Sequence, residues 1–297
     1  MAPKIPPKSP SLLAYYVALA AGAVAMGISP IFVRLADVGP FTSAFWRVAL
    51  ALPVLWAWMA LSERGKSGPR QNFSLPTLLA GLAFAGDLFF WHLAIVKTSV
   101  ANATVFATTT PIFVVIFGYI LFRHRVRGNV LAGLGLCMAG GAVLAGQSFG
   151  VASSRALGDL YGVVTAVFFG LYFLAVTAAR PLASAARVTF ELTIITAVVL
   201  LFVALTLESQ FLPRSAHGWA ALCAMAWISH AGGQGLLSVA LGRLPAVFSS
   251  LVIFLEAIAA ALFGWLILGE PVSWLQALGG LVILAGIWTA RPRAGPQ

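Results

Sequence analysis

The chain has 297 residues, 61% of them hydrophobic and 9% charged, with a mean hydropathy of +0.98 and a formal net charge of +10. Such a composition excludes a water-soluble fold with an ordinary polar surface. The basic residues are scattered at the ends of apolar runs rather than gathered into one patch, so no nucleic-acid partner is expected despite the high pI.

Residues 1–10 form a short Pro-rich basic arm without a signal-peptide cleavage pattern. Ten apolar runs follow. As helices they suit a hydrocarbon core of about 30 Å, which takes about 20 residues to cross. They cover 12–35, 40–61, 75–96, 101–122 and 128–146, then 158–178, 188–207, 216–241, 245–268 and 271–289. The short alternating segments of a membrane β-barrel are absent, and the connections leave no room for a soluble catalytic domain. Cys137 and Cys223 fall inside apolar runs, which argues against a disulfide framework. Counting Lys and Arg in alternate connections puts thirteen on one side. Arg34, Lys97, Arg155 and Arg214 fall on the other, and Arg47 lies inside a run, which accounts for all 18. Both termini, marked by Lys4 and Arg293, are therefore expected in the cytoplasm and Arg155 outside.

The last three runs repeat an earlier set. Residues 85–143 match 231–289 without a gap: Gly86 falls on Gly232, Ile112 on Ile258, Phe117-Gly118 on Phe263-Gly264, Gly133 on Gly279, and Ala139-Gly140 on Ala285-Gly286. Lys97 faces Arg243 at the same helix end. The matched glycines and loop positions weigh more than the number of identities. Five runs per half is an odd number, so the second half enters the membrane from the opposite side. The expected fold is all-α and integral to the membrane. It has ten transmembrane helices in two inverted five-helix repeats, 1–150 and 151–297.

The segment from Glu256 to Gly280, Glu-Ala-Ile-Ala-Ala-Ala-Leu-Phe-Gly-Trp-Leu-Ile-Leu-Gly-Glu-Pro-Val-Ser-Trp-Leu-Gln-Ala-Leu-Gly-Gly, resembles the most recognisable part of EamA domains. These belong to the drug/metabolite transporter superfamily. Thr110-Pro111 through Gly133 is similar to the same part of the first domain, with Arg123-His124-Arg125 in place of the usual Gly-Glu turn. The resemblance spans nearly the whole chain. It implies a ten-helix exporter or exchanger of small metabolites, a group that includes the YddG-type exporters of aromatic amino acids. It also matches Glu256 to an acidic residue common at that point of second domains.

Four acid or imidazole side chains lie deep in the runs, where ionisable groups need a partner or a cavity: Asp87, His92, His230 and Glu256. Asp87 and Trp91 share a helix face, with His92 about 100° round. Asp87 is nearer the cytoplasmic half and reads first as structural. His230, Gln234 and Ser238 make a polar stripe at helical spacing, either a cavity wall or an interhelical contact. Tyr161, Thr165, Phe168 and Tyr172 form a second stripe, with rings suited to a flat substrate or to core packing. Thr104, Thr108 and Pro111 share a face, and Thr hydroxyls there can occupy the carbonyl that a proline leaves free. Pro30 and Pro111 are expected to bend their helices, with a role in gating as the further reading. Arg47, about seven residues from a helix end, reads first as a snorkelling anchor and second as a carboxylate clamp. Glu256 stands where the other half has Thr110, with no Lys or Arg evident at equal depth. It is the candidate proton-coupling carboxylate, with Asp87 beside it, or else a structural bridge.

No phosphate loop, no His/Cys metal-ligand set and no Ser/His/Asp constellation is present, so neither cofactor, metal nor enzymatic chemistry is expected. The basic run 123–127 reads as positive-inside anchoring. The functional expectation is a secondary transporter of a bacterial inner membrane, a monomer or homodimer, with membrane lipid and a small-molecule substrate as partners. It exports a small amphiphilic metabolite, an amino acid with an aromatic or large apolar side chain. Substrate contacts are expected from Trp91, His92, Thr108, Phe168, Tyr172, His230 and Gln234. The alternatives are an exchanger of nucleotide-sugars or drugs and, further off, a lipid-modifying enzyme, which would need a reactive cluster near one interface.

Overall fold

The computed structural model describes residues 11–65, 72–98, 100–145, 156–269 and 271–292; Lys4, Arg155 and Arg293 lie outside them. Every regular element among the described residues is helical. In chain order these are α1 (Leu12–Gly27), α2 (Ser29–Leu35), α3 (Pro40–Ala49), α4 (Leu52–Glu63), α5 (Leu75–Lys97), α6 (Val100–Ala107), α7 (Thr110–Phe122) and α8 (Gly128–Ala145). Then come α9 (Ala156–Ala179), α10 (Ala185–Leu207), α11 (Ala216–Ala224), a π-helical stretch Met225–Gln234, α12 (Gly235–Leu241), α13 (Ala246–Val252), α14 (Phe254–Leu268) and α15 (Trp274–Ala290). Seven helical stretches among the described residues are long and apolar enough to cross a membrane, and α8 and α15 are shorter apolar helices. Large side chains such as Val198, Phe202 and Leu205 stand exposed on outer faces. This is an integral, multi-pass membrane protein.

Several rods are broken near their middles. Pro30 opens α2, Pro53 opens α4 and Pro111 opens α7. A proline has no N–H and clashes with the carbonyl four residues back, so a continuous helix cannot pass it unbent. At Pro111 that carbonyl belongs to Ala107, and it accepts the Thr110 hydroxyl at 2.7 Å. Thr108 and Thr109 hydroxyls donate likewise to Val105 and Phe106. The matching place in the second half breaks at Ile253 with no proline present. There Ser250 Oγ donates to the Val247 carbonyl, and Glu256 N bonds three residues back to Ile253 O at 2.8 Å. The bends at Pro30 and Pro111 follow from sequence. The break at Ile253 does not.

The repeated glycines find their reason in the pairing of α8 with α15. A Cβ on Gly140 would lie 2.7 Å from the Gly279 carbonyl, and one on Gly286 would lie 2.6 Å from Cys137 Sγ. Backbones this close give van der Waals contact where lipid offers no hydrophobic drive. Elsewhere α5 packs on α9, α10 lies across α3, α4 and α5, and α1 runs along the π-helical stretch and α12. Arg187, at the start of α10, pairs with Glu191 of its own helix at 3.1 Å and with Glu63 at the end of α4, which ties two helix ends together.

Arg123 ends α7 in the left-handed region at φ 56°, and Gly269 ends α14 at the equivalent position with φ 69°. A side chain strains that conformation by about 1 kcal/mol, and glycine does not. Arg123→Gly is expected to raise the thermal midpoint in detergent. A fall would show that the guanidinium contributes more than its backbone costs.

Candidate functional site

The α6–α7 and α13–α14 breaks border one small cavity of about 50 Å³. Its walls are Met26 of α1, Arg47 of α3, Asp87, Leu88 and Trp91 of α5, Thr104 and Ala107 of α6, and Thr108 of the α6–α7 break. Thr165 and Phe169 of α9, Gln234 of the π-helical stretch, Ile253 of the α13–α14 break and Glu256 of α14 complete them. Both halves of the chain thus contribute to one site, and irregular backbone lies where it borders a cavity.

One cation and two carboxylates line the cavity. Arg47 is 5% exposed, donates from Nη2 to Ser229 Oγ at 3.3 Å, and holds its Cζ 5.9 Å from the Trp91 ring centre. Asp87 and Glu256 line the same cavity from α5 and α14. Its Nε and the Thr165 hydroxyl are buried without a protein partner. This corrects two sequence expectations. Arg47 is no interfacial anchor, because Thr42, Ser43, Ala44 and Val48 on its helix are buried with it and it has no lipid-facing path along which to snorkel. Glu256 also has a cation within its electrostatic reach, since about seven helical residues carry Arg47 roughly 10 Å inward.

Of the other residues singled out, Asp87, Trp91, Thr108 and Gln234 also line the cavity. Tyr172 stands one shell behind, donating its hydroxyl to Gln234 Oε1 at 2.9 Å. His230 turns to α10, with Nε2 2.9 Å from the Thr193 hydroxyl and its ring 5.4 Å from Phe84. His92 is tied to its own helix, Nδ1 lying 2.7 Å from the Leu88 carbonyl. Phe168 stacks on Phe90 at 5.6 Å and covers Gly86, while its neighbour Phe169 faces the cavity. Pro30 and Pro111 are buried at helix starts and do not line the cavity.

The polar stripe divides because bonding in the π-helical stretch runs to i+5 and changes the angular spacing. Gln234 meets the cavity, whereas His230 and Ser238 meet α10, Ser238 Oγ lying 3.5 Å from the Ala185 carbonyl. Met26 carried no signal in sequence, whereas Thr165 stood in the second stripe, to which Phe169 is adjacent. Arg47 carried one, as a deep cation in a chain with two deep acids.

One end of the bundle is tied shut. The Glu208 carboxylate accepts the amides of Phe41 and Thr42 at 2.7 and 3.0 Å, capping α3, and Trp46 Nε1 donates to Phe211 O at 2.8 Å. Towards the other end lies a much larger, mostly apolar cavity of about 560 Å³ beneath the 123–127 loop.

A polytopic helical membrane protein with a charged site at its broken helices is the architecture of a small-molecule carrier. The chain belongs to the EamA-like transporter family, whose model matches residues 13–146 and again 156–290. It is thus a transporter of the drug/metabolite transporter superfamily. It is 28% identical over 264 residues to the pseudopaline exporter CntI of Pseudomonas aeruginosa, covering 88% of this chain and 87% of that one. An uncharacterized transporter of Archaeoglobus fulgidus is 24% identical over 266 residues, covering 87% and 90%. The transporter YcxC of Bacillus subtilis is 25% identical over 292 residues, covering 92% and 91%. A solved crystal structure shares the fold with a TM-score of 0.81 at 20% identity, over 94% of this chain and 97% of the other.

Proposed function

We propose that this chain is a ten-helix secondary transporter of a bacterial inner membrane, built as two inverted five-helix repeats, 1–150 and 151–297, with both termini in the cytoplasm. Its substrate is a zwitterionic amphiphile, an amino acid with an aromatic or large apolar side chain, and it moves outward. The carrying observation is that Arg47, Asp87 and Glu256 line one cavity, with Arg47 beside Trp91. One fixed cation suits one carboxylate, two acids suit one ammonium, and Trp91 and Phe169 offer ring faces to an apolar side chain. A nucleotide-sugar carries two or more negative charges, which a single deep arginine flanked by acids does not offset.

The reciprocal packing of α1 on the π-helical stretch and of α5 on α9 supports the repeat. The uneven distribution of Lys and Arg supports the orientation. A relative named as an exporter supports the direction. The 50 Å³ cavity has room for a few waters and not for an aromatic amino acid. Substrate binding therefore requires the broken helices to move apart, and the bends at Ile28, Thr108 and Ile253 are where they give.

Purified protein in liposomes, loaded with labelled phenylalanine or tryptophan and given a proton gradient, tests the reading. Saturable movement of these, and none of a nucleotide-sugar, is expected. Gln234→Ala, which removes the acceptor of the Tyr172 hydroxyl, is expected to lower transport about tenfold with normal amounts of protein in the membrane. Unchanged transport by that variant removes Gln234 from the site.

A further inference from the structure

The geometry points to a second ligand site, distinct from the central one: the 560 Å³ cavity under the 123–127 loop binds one anionic phospholipid. Its walls come from α7, α8, α9, α13 and α15 and are largely apolar, including Val114, Gly118, Phe122, Val130, Leu174 and Phe248. The polar groups within the wall are already engaged. Asn129 donates its amide to Thr289 O at 3.1 Å, and the Thr177 hydroxyl donates to Phe173 O at 2.8 Å. Charge enters only at the mouth, where His124, Arg125 and Arg127 are exposed, and the lining contains no carboxylate. A ligand that fits is anionic at one end and hydrocarbon along the rest. The central site has the opposite arrangement, with both signs of charge deep inside.

The mouth also adjoins surface that meets lipid, since Tyr119, Ile120, Leu121 and Phe122 on the end of α7 are exposed. A basic pocket between membrane helices, beside lipid-facing side chains, is the setting in which anionic head groups are held. Gly118 keeps the space open. A Cβ there meets nothing within 4 Å, unlike the crowded glycines of α8 and α15, so a larger side chain reaches into the cavity without displacing backbone. The inference rests on the chain lying in a membrane and not on the identity of the transported substrate.

The test uses the full chain in phosphatidylcholine vesicles, with or without phosphatidylglycerol as the minor component, followed by native mass spectrometry of the extracted protein. One retained phosphatidylglycerol per chain, and no retained phosphatidylcholine, is the expected result for the parent. Gly118→Phe, which fills the cavity but keeps every charge, is expected to lose it, and Gly118→Ala to keep it. Arg125→Gln and Arg127→Gln are each expected to weaken retention about fivefold. Retention by Gly118→Phe equal to the parent means surface attraction only and overturns the site, as does equal retention of phosphatidylcholine. Should Gly118→Phe not fold, Val130→Phe closes the same cavity from α8 and is read the same way. Displacement of the lipid by inorganic phosphate overturns the amphiphile in favour of a free anion. Displacement by tryptophan makes the cavity part of the substrate path and likewise overturns it.

Discussion

Arg47→Met is expected to abolish transport and to lower stability by about 3–5 kcal/mol, the range for removing one partner of a buried charged group. The guanidinium is enclosed, and Asp87 and Glu256 line the same cavity. Without it two carboxylates share that cavity with no cation among its lining residues. Methionine keeps the length of the side chain, so lost packing contributes little. The check is a pair of measurements, chemical denaturation in detergent and uptake in liposomes. The companion variant carries Arg47→Met, Asp87→Asn and Glu256→Gln together. It should regain most of the stability, because the uncompensated charges are gone, and none of the transport. A single Arg47→Met variant that folds and transports like the parent would sink both the charge cluster and the zwitterion reading.

Glu256→Gln is expected to separate proton-driven accumulation from exchange. The amide keeps the shape and one acceptor oxygen of the carboxylate but neither its charge nor its ability to carry a proton. In an exporter driven by inward protons, substrate and proton must exclude one another. A shared carboxylate does this, because the substrate ammonium and the proton compete for the same oxygens. With glutamine in place, accumulation against a gradient should fall to background, while exchange of labelled for unlabelled substrate remains measurable. Asp87→Asn is the comparison, since Asp87 lines the same cavity from α5. Accumulation by Glu256→Gln at the parent level assigns the residue to structure and moves the coupling elsewhere.

Much of this architecture was legible in sequence because lipid imposes a simple rule. Every backbone polar group in the hydrocarbon must be satisfied within its own helix, so an apolar run of sufficient length announces a helix. The matched glycines at 133 and 279, and at 140 and 286, likewise became one contact, the close α8–α15 pairing. A threonine hydroxyl compensating Pro111 could be expected from sequence, but the one that occupies the Ala107 carbonyl is Thr110 and not Thr108, which bonds Val105. The site was legible in part. Asp87, Trp91, Thr108, Gln234 and Glu256 stand out in sequence as polar or aromatic residues within apolar runs and line one cavity, whereas His92, Phe168, Tyr172 and His230 do not line it. Phe168 and Phe169 could not be separated, because adjacent residues differ by only about 100° and nothing local says which face meets α5.

Sequence alone determined the solvent this protein folds in, its helical class and the repetition of one half in the other, since these follow from length, hydropathy and spacing. Tertiary structure alone decided which deep polar groups meet. His92 and His230 are as buried as Gln234, yet one bonds its own helix, the second bonds α10, and the third faces the cavity. Nothing in their spacing distinguishes them, because a π-helical stretch redirects the stripe and a break without proline at Ile253 places Glu256. Arg47 shows the same limit most plainly. A long cationic side chain can reach lipid headgroups or the protein interior, and which it does depends on the helices packed around it. Here the buried face of α3 turns it inward, to the cavity that Asp87 and Glu256 also line.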